Sequence, residues 1–357
     1  MRTPALQRSL SPSLEAMREP EFALCPHNIP WVAPDRPMLY NAVVASKRDG
    51  PGGGAVRVGI SGWTYKPWRG TFYPSGLPHH KELSYASTIL PSIEINGTFY
   101  SLQRPTSYAN WYEQTPAGFV FSVKGPRYIT HIRRLREIEA PIANFFVSGV
   151  LRLNEKLGPI LWQFPPNFRF APGLFESFLA QLPRSTASAA ELLHRSDARV
   201  KGKTWAKIDA DRPLRHAIEI RHPSFSTPAF IRLLRKYRAA LVTADAAAGW
   251  PMLHDVTADF VYIRMHGVEE LYASGYTESS LDNWAAKIKA WSRGGEPHGA
   301  SRAGPPAPKR ARRDVYVYFD NDAKVRAPFD ASRLSVKLGL KSASGPVARD
   351  FARSEDG

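Results

Sequence analysis

Charged and polar residues alternate with aliphatic residues in several short segments of this sequence. Ile218 and Ile220 flank Glu219, while Ile263 and Met265 flank Arg264. Successive side chains of a β-strand point to opposite faces, so each segment would have one apolar face and one face with chemically active groups. The active groups that follow from this pattern are Glu94, Lys124, Gln163, Glu219, Arg221, Asp245, Arg264, His266 and Asp320.

This set contains the residue types that acid–base catalysis on an anionic substrate requires. Glu219 or Glu94 is the candidate general base, and His266 or Asp245 is the candidate acid or orienting group. Three cations are the candidates for holding phosphate or carboxylate oxygens. They are Lys124, Arg221 and Arg264. Burying charges in this way costs more than filling the same space with Val, Ile and Leu, which favours a functional site.

Aromatic residues are dense just after the predicted strands. Trp63 and Tyr65 follow the first strand, Phe99 and Tyr100 the second, and Tyr276 the seventh. Aromatic walls with a few polar groups are typical of sites for sugars, bases or other planar rings. These rings and the polar side chains near the strand ends together give the predicted substrate-binding residues. They are Trp63, Tyr65, Asn96, Phe99, Tyr100, Lys124, Gln163, Arg221, Arg264, Tyr276 and Asn321.

Each of these interpretations has an alternative. Arg221 and Arg264 would also serve to neutralise Glu219 and Glu94 in a purely structural ion-pair network. The rings would also serve as packing over the strand ends. A divalent metal is a further alternative, with Glu94, Glu219, Asp245 and His266 as ligands. Cations in the same set compete for these carboxylates and repel a metal ion, so we expect no metal and no other cofactor.

Eight β-rich runs are expected to position these groups, and amphipathic segments separate the runs. The runs are 57–63, 92–99, 119–124, 159–164, 216–221, 240–245, 260–266 and 315–320. Strands that alternate with helices indicate a parallel sheet, and eight units in about 285 residues match a single (β/α)₈ TIM-type barrel of the α/β class. Residues 246–259 barely suffice for a crossover, so we expect the sixth helix to be degenerate. Barrel enzymes place their sites at the carboxyl ends of the strands, where the polar set would lie.

Outside the predicted barrel, residues 56–340, the chain has segments of different character. Residues 1–55 are rich in Pro and Gly without a sustained period and are predicted to be a disordered, flexible tail, as are residues 341–357. Residues 184–213 and 293–313 are predicted to be inserted surface loops. The second insert contains a basic run that is a candidate for nucleic-acid binding or nuclear localisation, with a solvated loop as the alternative. The run comprises Lys309, Arg310, Arg312 and Arg313.

Composition narrows the class of protein without naming a function. The chain has 357 residues, 43% of them hydrophobic, so it can fill a core and is not disordered overall. No apolar run reaches the ~18 residues that a membrane span needs, so we expect no membrane partner. A single cysteine excludes an internal disulfide and is in keeping with an intracellular, cytoplasmic protein, with the nucleus as an alternative. The net charge of +16 favours an acidic partner, either a small anion or a nucleic acid.

Seven stretches of the sequence resemble the domain of unknown function 72 family, the YecE-like proteins. They are GISGWTYKPWRGTFYP (59–74), IEINGTFY (93–100), FVFSVKGPRYITH (119–131), KLGPILWQFPPNF (156–168), IEIRHPSF (218–225), TADFVYIRMHG (257–267) and VYVYFDND (315–322). The resemblance covers about residues 56–340 and implies a TIM-type barrel of unestablished activity. It also implies a distant likeness to endonuclease-IV-type and sugar-isomerase-type barrels, which is an analogy of fold only. Asp320 stands where the resemblance leads us to expect Asn, and Gly97 where it leads us to expect Ser.

These observations lead to one expectation and two alternatives. The expected function is a barrel enzyme that acts on a small anionic, phosphorylated or carboxylated, or sugar-like substrate at the barrel mouth by acid–base chemistry. The first alternative is a nucleic-acid-binding or DNA-processing barrel. The second is a barrel that binds a ligand without catalysis.

Overall fold

A computed structural model describes residues 53–267 and 269–340 of the chain. Residues 1–52 and 341–357, where we predicted disordered segments, lie outside the described residues. None of the helices in the described part is long and apolar enough to cross a lipid bilayer.

Eight parallel strands close into a barrel in the order of the sequence, from β1 to β8, with β8 paired to β1. They are β1 (Val56–Ser61), β2 (Ser92–Ile95), β3 (Val120–Lys124), β4 (Leu157–Gln163), β5 (His216–Glu219), β6 (Ala240–Asp245), β7 (Phe260–Met265) and β8 (Asp314–Phe319). The predicted (β/α)₈ TIM-type barrel is confirmed.

Helices surround the barrel, and their starts follow local chemistry. They are α1 (Glu82–Ile89), α2 (Gly97–Tyr100), α3 (Pro105–Glu113), α4 (Glu139–Val147), α5 (Pro172–Gln181), α6 (Thr186–Glu191), α7 (Pro228–Lys236), α8 (Glu278–Ser292) and α9 (Ala327–Leu338). Helix α7, for example, begins at Pro228, and the hydroxyl of Thr227 accepts a hydrogen bond from the Phe230 amide. No helix forms in residues 246–259, between β6 and β7, so the predicted degenerate sixth helix is confirmed.

The barrel lumen is filled with side chains of two kinds. Its lower part is apolar and aromatic, and includes Leu161, Val242 and Phe260. Above them, Tyr318 and Tyr262 each lie 2.7 Å from a lumen serine hydroxyl, Ser92 and Ser122 respectively. The lumen is therefore a packed core, and the charged groups lie above it, at the carboxyl ends of the strands.

The first predicted insert, residues 184–213, packs on α4 and contains α6. The side chains of Asn144 on α4 and Asp197 are joined by a hydrogen bond of 2.9 Å. The Trp205 amide donates to the Val147 carbonyl at 2.6 Å. These contacts hold the insert against the outer layer of the barrel.

The second predicted insert, residues 293–313, covers the barrel where the sixth helix is missing. Asp255, in the connection from β6 to β7, accepts hydrogen bonds from the amides of Ala303 and Gly304 at 2.8 and 2.9 Å. The guanidinium of Arg313 is buried and donates to two carbonyls within the insert. Arg313 therefore does not contribute to an exposed basic patch, whereas Lys309, Arg310 and Arg312 are exposed.

Candidate active site at the carboxyl ends of the strands

Arg264, near the end of β7, is the centre of the polar cluster. It is fully buried, and its Nη1 donates to Glu219 Oε2 at 2.8 Å. Its Nη2 lies 2.8 Å from Glu94 Oε1 and 2.9 Å from Asp320 Oδ2. Ion pairing with three carboxylates uses both terminal nitrogens of Arg264, and this geometry fits positioning the carboxylates better than the predicted contact with a substrate.

Glu94 lies just as deep as Arg264. It is fully buried at β2, and its Oε2 accepts a hydrogen bond from the Tyr262 hydroxyl at 2.5 Å. Its Oε1 accepts from the Ser61 hydroxyl and from Arg264. Since both oxygens are occupied and shielded, Glu94 fits a structural role better than the role of general base.

Glu219, at the end of β5, is bound by two arginines. Its Oε1 accepts from Arg221 Nε at 2.8 Å, and its Oε2 accepts from Arg264. Burial raises the pKa of Glu219, but the charges of Arg221 and Arg264 outweigh it and hold the pKa well below the usual range. The Arg221 guanidinium also lies 3.7 Å from the ring centroid of Trp250, so it is fixed from two sides.

His266 and Asp320 lie side by side at the ends of β7 and β8. His266 Nδ1 is 3.0 Å from Asp320 Oδ2. The imidazole also contacts the rings of Trp250 and Tyr272, with interplanar angles of 83° and 85°. Burial raises the pKa of Asp320, but Arg264 and His266 outweigh it and hold the pKa well below the usual range. Asp320 is 8% exposed, whereas Glu94 and Glu219 are fully buried. Asp320 is therefore the carboxylate of this cluster that is open to the mouth.

A strained turn covers His266. The Tyr272 amide donates to the His266 carbonyl at 2.6 Å, and Tyr272 adopts a left-handed φ of 65°. Gly267 has a φ of 98°, and a Cβ at this position would lie 2.6 Å from the Glu270 carbonyl oxygen. Only glycine allows this close approach, so the sequence at 267 fixes the position of Tyr272 over the imidazole.

Lys124 and Gln163, at the ends of β3 and β4, have polar atoms without a partner. Within the described part of the chain, neither Lys124 Nζ nor the Gln163 amide makes a hydrogen bond or ion pair, although the residues are only 7% and 6% exposed. Lys124 Nζ lies 4.4 Å from the ring centroid of Phe99. Burial, followed by repulsion from Arg264, lowers the pKa of Lys124 to about 8.

Asp322 is a site residue that we did not predict. Its Oδ1 is buried and without a hydrogen-bond partner among the described residues. Burial, followed by the charge of Asp320, raises the pKa of Asp322 to about 8, which favours the protonated carboxyl. The signal was present in the sequence, because Asp322 follows Asp320 by two residues and so continues the alternation of β8.

Asn96 and Tyr65 lie beside this carboxyl group. Tyr65 lies next to Asp322, and its hydroxyl donates to the Ser61 carbonyl at 2.5 Å. The Asn96 amide donates to the Ser61 hydroxyl at 2.9 Å, and its Oδ1 has no partner in the described residues. The structure therefore brings these two predicted residues into the polar cluster.

The predicted aromatic residues of the mouth differ in exposure. Tyr100 is 71% exposed and meets the edge of Phe99, which is 8% exposed. Trp63 is half-buried and contacts the edge of Trp111 on α3. Tyr100 and Trp63 are thus rings that a ligand can reach, while Phe99 supports Lys124.

Asp245 does not face the lumen, so its predicted placement there is wrong. In β6, Val242 and Ala244 point into the lumen, and Asp245 accepts a hydrogen bond from Trp284 Nε1 of α8 at 3.0 Å. Backbone from residues 246–259 covers part of the outer face of β6. Thr243, for instance, donates to the Leu253 carbonyl. Polar side chains therefore face outward in this strand.

Tyr276 and Asn321, which we predicted to bind substrate, also lie behind the site. Tyr276 is 2% exposed, packs on Phe319, and accepts a hydrogen bond from the Gly267 amide. Asn321 is fully buried and donates to Asp330 of α9 at 2.8 Å. Both residues fasten the β7 and β8 loops to the outer helices.

The arrangement separates a supporting layer from an accessible layer. Arg264, Glu94 and Glu219 form the support, with the fully buried His266 beside them, and the partly exposed groups above it are Lys124, Gln163, Arg221 and Asp320. In the described residues, no group of three or more His, Cys, Asp or Glu converges as metal ligands would. The accessible groups can attract an anion and exchange protons with it.

Comparisons with known proteins agree on one family. The model of the family described as "Protein of unknown function DUF72" matches residues 57–352. UPF0759 protein YunF of Bacillus subtilis (strain 168) is 30% identical over 118 residues, or 32% of this chain and 41% of that protein. UPF0759 protein YecE of Escherichia coli (strain K12) is 28% identical over 141 residues, or 39% and 48%. The matched regions span less than half the length of these curated relatives.

Solved structures with the same fold come from two bacteria. A DUF72 family protein of Thermotoga maritima MSB8 has a TM-score of 0.61 and 23% identity, covering 80% of this chain and 99% of that chain. A DUF72 family protein of Enterococcus faecalis V583 has a TM-score of 0.59 and 17% identity, covering 80% and 96%. At these identities the likeness is one of fold.

Proposed function

The chain belongs to the DUF72 family of proteins of unknown function, and from the geometry of the barrel mouth we propose that it is an enzyme acting on a small anionic or sugar-like substrate by acid–base chemistry. The observation that carries this proposal is the set of uncommitted polar groups at the mouth. Lys124 Nζ and the Gln163 amide have no partner among the described residues. Nearly buried polar groups are ordinarily hydrogen-bonded, so unpaired ones at a barrel mouth favour a ligand.

Arg221 supports an anionic substrate. Its Nε and Nη2 are held by Glu219, whereas its Nη1 makes no hydrogen bond within the described part of the chain. The stack on Trp250 keeps the guanidinium in one orientation. A fixed guanidinium with a free N–H is suited to phosphate or carboxylate oxygens.

Proton transfer falls to His266 and Asp320. They are adjacent, and Asp320 is held ionised by Arg264, so it can orient the imidazole and stabilise its protonated form. Asp322 lies nearby, and its raised pKa favours the protonated carboxyl, whereas the lowered pKa of Asp320 favours the carboxylate. Carboxyl groups whose pKa values are pushed apart are typical of acid–base sites.

A purely structural ion-pair network explains only the supporting layer. Arg264 neutralises Glu94, Glu219 and Asp320, and this network is complete without Lys124 or Gln163. Because the carboxylates of the network offset only part of the cost of burying this ammonium, the structural interpretation leaves Lys124 unexplained.

The test combines a ligand screen with two substitutions. We expect a sugar phosphate, a small carboxylate or a neutral sugar to raise the melting temperature of the full chain, and Gln163→Leu to reduce that shift. We expect His266→Gln to retain binding and to lower turnover of the compound by about 10²- to 10⁴-fold. Lys309→Ala is the matched control. Lys309 is exposed in the second insert, outside the polar cluster, so its loss should change neither the melting shift nor the turnover.

Two results would count against the proposal. If no compound of these classes shifts the melting temperature, the mouth is not a small-molecule site. If a compound binds and is never converted, by the wild type or any variant, the protein is a ligand-binding barrel without catalysis.

A further inference from the structure

Two lysines of this fold are buried to a similar extent and differ in their partners. Lys156, which is 4% exposed, donates from Nζ to the carbonyls of Tyr112 and Thr115 at 2.6 and 2.7 Å and to the Thr115 hydroxyl at 3.1 Å. Lys124, which is 7% exposed, has no hydrogen bond or ion pair from Nζ in the described residues. Lys156 has the partners of a structural lysine, and Lys124 lacks them.

The surroundings of Lys124 favour an uncharged amine. Its Nζ lies over the Phe99 ring, at the end of β3, where barrel enzymes hold reacting groups. Arg264 is nearby, and its positive charge is the second largest influence that lowers the pKa of Lys124, after burial. A lysine that is desolvated and next to another cation is the usual form of a nucleophilic amine.

We propose that Lys124 is a nucleophile that forms an imine with the carbonyl carbon of a small aldehyde or ketone carrying an anionic group. This inference rests on the proposed function and names the substrate class of the same site. The anionic group is assigned to Arg221, whose Nη1 is free among the described residues and whose plane is fixed on Trp250.

The chemistry balances without any co-reactant. The neutral amine of Lys124 attacks the carbonyl carbon, and a C–N bond forms as the C=O π bond breaks. The nitrogen then gives up a proton and the oxygen takes one up, which yields a neutral carbinolamine. The hydroxyl then leaves as water with a second proton, and the nitrogen lone pair forms the C=N bond. Overall, the ammonium and the carbonyl compound give a protonated imine and one water, with no net change in protons.

The mouth holds groups that can supply and remove those protons. The carboxyl of Asp322 and the His266–Asp320 pair lie in the same cluster of charges as Lys124. A protonated imine withdraws electrons from the adjacent carbon, so a base at this position can remove a proton from it. Reactions of this class include isomerisation and carbon–carbon bond cleavage or formation.

The experiment is reductive trapping on the full chain. The protein is incubated with pyruvate, with glyceraldehyde 3-phosphate or with neutral glyceraldehyde, each with sodium cyanoborohydride, and the modified lysines are mapped by mass spectrometry of peptides. Reduction of an imine leaves a stable secondary amine whose added mass is that of the carbonyl compound less one oxygen atom. Lys156 is the internal control for burial, and Lys66 and Lys309 are the controls for exposure.

We expect one adduct at Lys124 from at least one anionic compound, formed at least about tenfold faster than at Lys66 or Lys309, because the free-amine fraction rises about tenfold for each unit by which the pKa falls. Lys156 should stay unmodified, and Lys124→Arg should remove the fast adduct. Neutral glyceraldehyde should react more slowly than the anionic compounds, since it cannot use Arg221.

The failure of this inference is distinct from failure of the proposed function. If Lys124 is not trapped while an anionic compound still raises the melting temperature of the wild type, the imine is ruled out and the small-molecule site stands. An adduct spread evenly over exposed lysines, or retained in Lys124→Arg, also overturns the imine. If no compound binds or reacts at all, both proposals fail.

Discussion

Arg264 shows how one buried residue organises a polar cluster. Three carboxylates lie within 2.9 Å of its terminal nitrogens: Glu94 of β2, Glu219 of β5, and Asp320, which directly follows β8. Removing one partner of a buried ion pair leaves an uncompensated charge, which makes such a network rigid in geometry even where its net stabilisation is small. The positions of Glu219 and Asp320 at the mouth therefore follow from Arg264.

Much of this cluster followed from the alternation of residue types. Glu94, Glu219 and Arg264 were predicted to share the lumen because their neighbours on either side are aliphatic, and the structure brings them together. Alternation does not reveal depth, however. It cannot separate Glu94, which is fully buried, from Asp320, which is open to the mouth. Roles that depend on access, such as general base, therefore required the structure.

The pH dependence of the free energy of unfolding tests whether Lys124 lies buried and unpaired in this cluster. Its pKa of about 8 is below the ordinary value of 10.5, so the unfolded chain binds more protons between these two pH values and stability rises with pH across that window. Below pH 8 the full cost of a buried ammonium is present. The charged groups acting on it are Arg264, which lowers its pKa, and Asp320, Glu94 and Glu219, which raise it.

We therefore expect Lys124→Met to increase the free energy of unfolding at pH 7, by on the order of 2–3 kcal/mol. The gain should shrink as the pH rises from 8 to 10.5. Urea unfolding at several pH values measures it. Lys156→Met is the control and should destabilise by about 1–3 kcal/mol, since it leaves buried carbonyls unpaired. A loss of stability for Lys124→Met at pH 7 would show that its ammonium has a partner in the folded protein.

In strand β6, the sequence pattern predicted the wrong orientation of the two faces. The alternation in 240–245 places Thr243 and Asp245 on one face, and we assigned that face to the lumen because polar faces point inward in the other strands. In β6 this face points outward instead, where the backbone of 246–259 supplies a carbonyl to Thr243 and Trp284 of α8 donates to Asp245. The shortness of 246–259 predicted the missing helix, whereas the orientation of the strand beneath became visible only in the structure.

The second insert compensates for that missing helix. Its chain turns at Ala303 and Gly304 against Asp255, and Arg235 of α7 donates to the Pro305 carbonyl at 2.8 Å. A Cβ at Gly304 would lie 2.7 Å from a methyl carbon of Ile231, so the backbone of the insert approaches α7 as closely as glycine permits.

Gly304→Ala is expected to lower the free energy of unfolding by about 1–3 kcal/mol, as overpacking does in other cores. Hydrogen exchange should become faster in residues 253–258 and 300–307, since the two segments are held by the same contact. Gly173→Ala is the matched control, because nothing lies within 4 Å of its added Cβ and it sits in the first turn of α5. Equal effects of the two substitutions would mean that the insert is not docked in solution.

At the scale of the whole molecule, the positive charge is unevenly distributed. Residues 293–313 contain six Lys or Arg and one Glu, a net of +5 out of the +16 of the chain. At the mouth, by contrast, Arg264, Arg221 and Lys124 stand among Glu94, Glu219 and Asp320, so the charges nearly cancel. A barrel that processes nucleic acid at its mouth would need positive charge along that surface to bind phosphates. The distribution therefore favours a small ligand at the mouth and leaves the insert as the place where a polyanion would bind.

Because the excess positive charge lies in the second insert and not at the barrel mouth, we predict that nucleic-acid binding and small-molecule binding are separable. We expect the triple variant Lys309→Ala, Arg310→Ala, Arg312→Ala to weaken binding to generic duplex DNA at low salt. The slope of log affinity against log salt should fall by about three, at about 0.9 for each phosphate that the variant no longer neutralises. The ligand-induced melting shift should not change.

The control variant replaces Lys201, Lys203 and Lys207, which are exposed in the first insert, with Ala and so removes the same charge. If the control variant reduces the slope equally, binding follows net charge alone. If neither variant affects binding and Arg221→Met abolishes it, the barrel mouth is a nucleic-acid site, and the small-molecule proposal must be given up.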